Sequence, residues 1–253
     1  MAYYSDSDYP EYVSVAEKRR KAQKSVEKLR KKNPDISPII ITGTKITKTW
    51  WGKSWNDNLE SYSDYANRIG RGRSYVRHGA VVDLKITQGE IKALVQGSVS
   101  KPYQVTISIQ PLSSALWRGI TKNCAGKIDS LQELITGKFP KALSEVFTAK
   151  GKGLFPASKE IRLQCNCPDG AIMCKHVAAV LYGVGARLDD DPTLFFVLRN
   201  VKVDDLISEA ISQNTETLLR KSKVKSRRII EDTDISDLFG IEMETKAEKK
   251  MKP

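Results

Sequence analysis

Histidine is scarce in this sequence of 253 residues, with His78 and His176 alone. That excludes an acid/base constellation built on several imidazoles. The acids Asp189, Asp190 and Asp191 precede Pro192 and read as a helix cap, with an oxygen-ligand magnesium site as the rival reading. Cysteine is scarce too, and unevenly placed: of four, Cys165, Cys167 and Cys174 cluster while Cys124 stands apart. An even secreted disulfide framework fits that poorly, and a reducing compartment fits it better. No run of ~18 apolar residues is present to span a bilayer, and the start MAYYSDSDYPEYVSVAEKRR lacks the apolar stretch of a secretory signal. These absences predict a soluble, cytoplasmic protein that is not an enzyme, with no membrane partner and no small-molecule substrate.

Positive charge is what the chain has in excess, a formal +12, and it is concentrated. Residues 18–32 carry nine basic side chains, residues 68–77 carry four arginines with no acid, and residues 220–228 carry six basic side chains with no acid. Clustered cations are what a polyanion partner needs, because neutralising several phosphates releases counterions. A merely solvated charged face is the competing reading for any one run.

Along the chain, a Tyr/Ser/Asp-rich start reads as disordered. Val15, Ala22, Val26 and Leu29 then mark a basic amphipathic helix ended by Asn33-Pro34. Ile39-Ile40-Ile41 is strand-like. Trp51, Trp55, Leu59 and Tyr62 fall on one helical face, with Trp50 at its border, and are expected in the core. Gly70-Arg71-Gly72-Arg73 is expected to open a loop. Residues 80–86, 91–95 and 103–109, with turn chemistry between them, predict a three-stranded antiparallel meander with the tryptophan helix as its lid. Short helices are expected at Leu116–Ile120, over residues 128–135 and around residues 143–147. An extended piece over residues 160–164 leads to the cysteines; a helix with Val177, Val180, Leu181 and Val184 follows. A short helix over residues 194–198 and another over 203–211 come next. The predicted class is α+β: a three-stranded meander packed with several helices, plus a small Cys3His zinc-finger unit. The expected divisions are an extension with the basic helix over 1–46, a body over 47–158, the finger and following helices over 159–212, and a charged tail over 213–253. Within that tail the acidic-apolar stretch 229–244 reads either as a docking peptide or as a last helix returning to the core.

The chemistry lies in CNCPDGAIMCKH, residues 165–176. Its spacing is C-x-C-x6-C-x-H, and three thiolates with an imidazole are the donors zinc prefers in a tetrahedral structural site. Residues two apart cannot converge within one helix, so Cys174 must precede a helix that holds His176 in its first turn. On a strand, Cys165 and Cys167 face the same way, and Pro168-Asp169-Gly170 turns the chain. Three thiolates on a divalent ion leave a net negative charge, which Lys175, Arg162 or the amino end of the helix could offset. A redox dithiol would favour C-x-x-C, and a buried cluster without function would have apolar neighbours rather than Pro, Asp, Gly and Lys. His78 reads as a surface residue in a basic loop, and Cys124 as a small buried one.

LQCNCPDGAIMCKHVAAVLY resembles the SWIM zinc finger, whose pattern is C-x-C, a variable gap, then C-x-H. That resemblance implies Cys165, Cys167, Cys174 and His176 as ligands of one structural Zn2+. It extends upstream through WWGKSWNDNLE, GRGRSYVRHGAVVDLKI, VQGSVSKPYQVTI and GLFPASKEI, and downstream to DPTLFFVLR, which resemble prokaryotic SWIM proteins. Such proteins are associated with Swi/Snf-type helicase-like ATPases, and their fingers are regarded as DNA-binding or protein-interaction modules. The expectation is a zinc-stabilised nucleic-acid-binding accessory protein, for DNA, acting with such an ATPase. Arg71, Arg73, Arg77, Lys18, Arg19, Arg20 and Lys21 are the expected phosphate contacts. The alternative is an adaptor that docks on an ATPase or repair partner without touching nucleic acid.

Overall fold

A computed structural model of the chain describes residues 13–125, 139, 141–149 and 151–223. Its helices are α1 (Val15–Arg30), α2 (Trp50–Glu60), α3 (Ala66–Arg77), α4 (Ser114–Ala125), α5 (Ser144–Thr148), α6 (Lys175–Asp190), α7 (Leu194–Arg199) and α8 (Val203–Lys223). Its strands are β1 (Val81–Thr87), β2 (Glu90–Val95), β3 (Tyr103–Ile109) and β4 (Ile161–Cys165). The start over residues 1–12, the expected helix over 128–135 and the acidic-apolar tail stretch over 229–244 lie outside the described residues. Spatial proximity divides the chain into two units, Met1–Ile211 and Ser212–Pro253. The described part of the second unit is helical throughout, with Leu218 and Leu219 exposed. Among the described residues no helix is long and apolar enough to cross a membrane.

In the first unit the four strands form one antiparallel sheet in the order β1-β2-β3-β4. The expected meander is its larger part, with Ile86 opposite Ile91 and Val95 opposite Tyr103. The sheet is four-stranded rather than three because β4 adds to the open edge of β3, with Cys165 opposite Val105 and Ile161 opposite Ile109. Only five residues long, with half-buried apolar side chains, β4 carries no sheet signal of its own; the unpaired edge of β3 supplies it. Ile39-Ile40-Ile41 stays outside the sheet as an extended segment held by the Ile39 N–H on the Val81 carbonyl, 3.0 Å away.

The inner face of the sheet, including Ile91, Val95, Val105 and Ile107, is fully buried. Its lid is α6 rather than the expected tryptophan helix. The residues of α6 from His176 through Gly185 are all buried, the pattern of a helix enclosed by a core on every side. Trp51 and Trp55 are in the core as expected, but they reach α6: their indole N–H groups donate to the carbonyls of Leu188 at 2.7 Å and Leu181 at 3.0 Å. The layers therefore run sheet, α6, then α2 and α3.

The GRGR segment is a helix, α3, and not a loop. A Cβ on Gly72 would stand 2.5 Å from Cβ of Ala178, so this glycine serves the close approach of α3 to α6. A Cβ on Gly70 would meet nothing within 4 Å. His78, expected at the surface, is 6% exposed. It lies beside Tyr75, with ring centroids 5.2 Å apart, under Lys18 and Arg19 of α1. Helix α1 packs against β1, burying Ala22 and closing over that corner. Cys124 is buried, as its isolation suggested.

Candidate metal centre

The cysteine segment joins the edge strand to the central helix. Cys165 ends β4, Cys174 is the N-cap of α6, and His176 sits in the first turn. One ligand atom from each of Cys165, Cys167, Cys174 and His176 can be chosen so that all four lie within 4.8 Å of one another. The sulfurs of Cys165 and Cys174 are each 3.9 Å from Nδ1 of His176. A tetrahedral ion with sulfur at ~2.3 Å and nitrogen at ~2.0 Å needs ligand–ligand edges of roughly 3.5–3.8 Å, so small movements close this quartet on one ion. All the cysteines are free of disulfides. The other imidazole nitrogen, Nε2, is buried without a hydrogen-bond partner, and the ring lies against Tyr103 with centroids 4.4 Å apart. Nδ1 is the nitrogen that faces the two sulfurs, so ligation through it would leave the proton on Nε2, which stays unpaired against the Tyr103 ring.

The four donors fit one structural zinc ion. With all four positions filled by protein, no coordination site remains for a reacting water, and the ion supplies folding energy. The thiols are already differentiated. Cys174 is held low, at about 4, first by a hydrogen bond from the Cys165 thiol and further by His176 and the backbone N–H of Val177. The same hydrogen bond, followed by burial, pushes Cys165 up, and burial does so for Cys167. Metal must therefore displace protons from the latter two, and binding weakens as pH falls. The amino end of α6 lies at the site through Cys174, and half-buried Lys175 follows directly. Arg162 does not serve: it is exposed and an odd number of residues from Cys165, so it faces the other side of β4.

The loop between the cysteines is clamped by residues the sequence did not single out. Asp64 accepts the backbone N–H of Ile172 at 2.9 Å and of Met173 at 3.3 Å, immediately before Cys174. Arg68 pairs with Asp169 through Nε at 3.0 Å and Nη2 at 3.1 Å. Both clamps come from the start of α3 and the turn before it, so the finger loop is fixed to the body. The only sequence signal was an acid and an arginine four residues apart at a helix start. The expected helix cap at 189–191 is not formed as such: Asp189 and Asp190 end α6 and Asp191 follows as its C-cap, while Asp189 accepts from the Thr49 N–H at 3.2 Å and Asp191 from the Thr193 N–H at 3.0 Å, the residues that themselves cap α2 and α7.

The expected phosphate contacts are sorted by the fold. Arg73 is committed to partners of the fold while its side chain stays 41% exposed: Nε donates to Tyr182 Oη at 2.8 Å, Nη2 pairs with Glu60, and Tyr182 donates to the same carboxylate. This network ties α2, α3 and α6 together, so the Arg73 charge is balanced within the fold. Lys18 is half-buried by His78; Arg20 and Arg71 are exposed. Arg19 and Arg77 come together, with Arg30, along a trough of about 560 Å3 on one flank of α1. Lys21 lines a second trough of about 710 Å3 on the other flank, with Lys24, Lys28 and Lys32 of the same basic run and with Lys101, which lies outside that run and carried no sequence signal. Their spacing of three and four residues along α1 was a readable signal of one lysine stripe.

A closed Cys3His quartet bridging a strand end and a helix start defines a structural zinc-finger protein. The SWIM zinc finger family model matches residues 151–184, and the chain carries a SWIM zinc finger there. The chain is also 35% identical over 164 residues to the Uncharacterized protein Rv2102 of Mycobacterium tuberculosis, a stretch covering 64% of this chain and 59% of that protein. The likeness therefore extends well past the finger, while spanning under two thirds of the relative's length. No solved structure matches the chain.

Proposed function

We propose that this is a non-enzymatic accessory protein in which zinc holds the scaffold and α1 with its flanking troughs binds nucleic acid, DNA by preference. The observation that supports the reading most is the split in the basic residues: Arg73 is paired with Glu60, whereas the cations of α1 and Arg77 face two open troughs that no acid lines. Cations left to solvent along a concave surface are what phosphates displace counterions to reach. A Swi/Snf-type helicase-like ATPase as partner follows from the family resemblance, and a cytoplasmic, nucleoid-associated setting from the cysteine usage and the excess of positive charge. The test is binding of the zinc-loaded protein to labelled DNA across a salt series. A log-log plot falling steeply with salt supports direct phosphate contact, and no binding at low salt refutes it.

One observation favours the adaptor reading. Ile172, in the finger loop beside the Asp64 clamp, is 73% exposed. An exposed apolar side chain on a clamped loop can meet a protein partner at little ordering cost. Under that reading Ile172→Ser weakens capture of the ATPase and leaves DNA binding intact.

A further inference from the structure

We infer that the lysine trough between α1 and the outer face of the sheet is a single-strand site: it seats the sugar-phosphate backbone of one nucleic-acid strand, without sequence preference. The inference rests on the nucleic-acid reading above and assigns its place and the form of its ligand. Lys21, Lys24, Lys28 and Lys32 rise along one stripe of α1, about 17 Å from first to last. Lys101 faces them from the segment before β3, and no acidic residue lines the trough. Among the described residues, Lys24, Lys28, Lys32 and Lys101 form no ion pair, while Lys21 donates to the Ser98 carbonyl. The wall opposite α1 includes Leu94, Gln96, Pro102 and Gln104 beside Lys101, so the cations are concentrated on the α1 side.

Shape decides which polyanion fits. Spread along the ~17 Å stripe, a trough of about 710 Å3 has a cross-section of roughly 40 Å2, concave and far smaller than that of a duplex. Duplex DNA is far wider and is read by convex elements that enter its grooves, whereas a single strand is thin enough to lie inside a trough. A stacked strand presents a phosphate about every 3.4 Å, so the stripe faces on the order of five phosphates. The lining contains no aromatic ring on which a base could stack, so affinity comes from phosphate and falls steeply with salt. Gln104, exposed on β3, offers an amide to sugar or base edges, whereas Gln96 is buried with its Nε2 donating to the carbonyls of Gly97 and Val99, so no bidentate reading set forms.

The experiment uses full-length, zinc-loaded protein with a labelled 20-mer of thymidine and a blunt 20-base-pair duplex, from ~50 to ~300 mM salt. One variant combines Lys24→Gln, Lys28→Gln and Lys32→Gln; a charge-matched control combines Lys53→Gln, Lys122→Gln and Lys152→Gln, all exposed and outside the trough. Expected are tighter binding of the single strand than of the duplex and a drop of at least ~30-fold for the trough variant at 100 mM salt. The log-log slope flattens by about 2, at ~0.7 for each phosphate no longer neutralised. The control stays within about threefold, and both variants keep the zinc content and thermal midpoint of the parent, which shows that the fold is retained. Equal losses in the two variants, or a preference for duplex, overturn the trough assignment while nucleic-acid binding stands. Absence of any binding at 50 mM salt overturns both together.

Discussion

Helices α1 and α3 are both rich in cations, and the fold uses them in opposite ways. Helix α3 is pressed against α6 through Gly72 and spends two of its four arginines on structure, Arg68 on Asp169 in the finger loop and Arg73 on Glu60 and Tyr182, while Arg71 and Arg77 stay exposed. Helix α1 touches the body through little more than buried Ala22 and leaves its lysines along an open trough. A run of like charge in a sequence thus says nothing by itself about ligand binding. What distinguishes the two is the supply of acceptors: Glu60 and Asp169 stand opposite α3, and no acid lines the α1 trough.

The sharpest contrast is expected between the zinc ligands that α3 supports and the lysines of α1. Cys174→Ser removes the N-cap ligand of the central helix. Zinc content should fall from about one per chain to near none, with a loss of ~5 kcal/mol or more in stability, seen by metal analysis and thermal unfolding. A chelator should mimic the variant. Lysine variants of α1 should leave both readouts unchanged. A folded, zinc-free Cys174→Ser protein of parental stability would show that the finger is not part of the core.

A second effect lies where the two helices meet. Burial holds the His78 imidazole down at about 4, and the Lys18 charge, then the Arg19 charge, push the same way. The sign follows from linkage: a histidine depressed below its ordinary ~6.5 contributes stability that is fully present above that value and is lost as pH falls toward 4. Between pH 7 and 5 the expected loss is about 2 kcal/mol. His78→Gln should flatten the curve over that window relative to the parent, because proton competition at the zinc site is common to both. Identical pH profiles would place His78 in solvent and detach α1 from α3.

Much of this was legible in the chain. Period-two runs gave three strands nearly to the residue, and C-x-C-x6-C-x-H placed the zinc donors at a strand-to-helix junction because two-residue spacing forbids a single helix. The illegible parts share one cause, which is that partners come from distant segments. The extended piece of β4 was expected but it joins the sheet because β3 has a free edge, α6 is the lid with α2 reaching it through indole donors, and His78 is buried because α1 lies over it. The misreading of GRGR is the clearest case. Local propensity makes two glycines a loop signal, and the Ala178 backbone, which makes one of them necessary in a helix, lies a hundred residues away.

That misreading yields the finest test, because the two glycines should respond with opposite signs. Gly70 lies in a helix with open space beside it, so Gly70→Ala should stabilise the protein by about 0.5–1 kcal/mol through helix propensity alone. Gly72→Ala gains the same propensity, but its Cβ would stand 2.5 Å from Cβ of Ala178 and 3.0 Å from that residue's carbonyl carbon. Backbone cannot yield as a flexible side chain does, so overpacking should cost about 1–3 kcal/mol and leave a net loss. Because α6 carries Cys174 and His176 at its start, the displaced helix should also loosen zinc, measurable as faster transfer to a competing chelator. In a flexible loop, neither glycine would feel these constraints and the two substitutions would be indistinguishable. Matching changes in thermal midpoint would return α3 to the loop the local sequence suggests. Opposite changes would establish that Gly72 sets the distance between the arginine helix and the zinc helix.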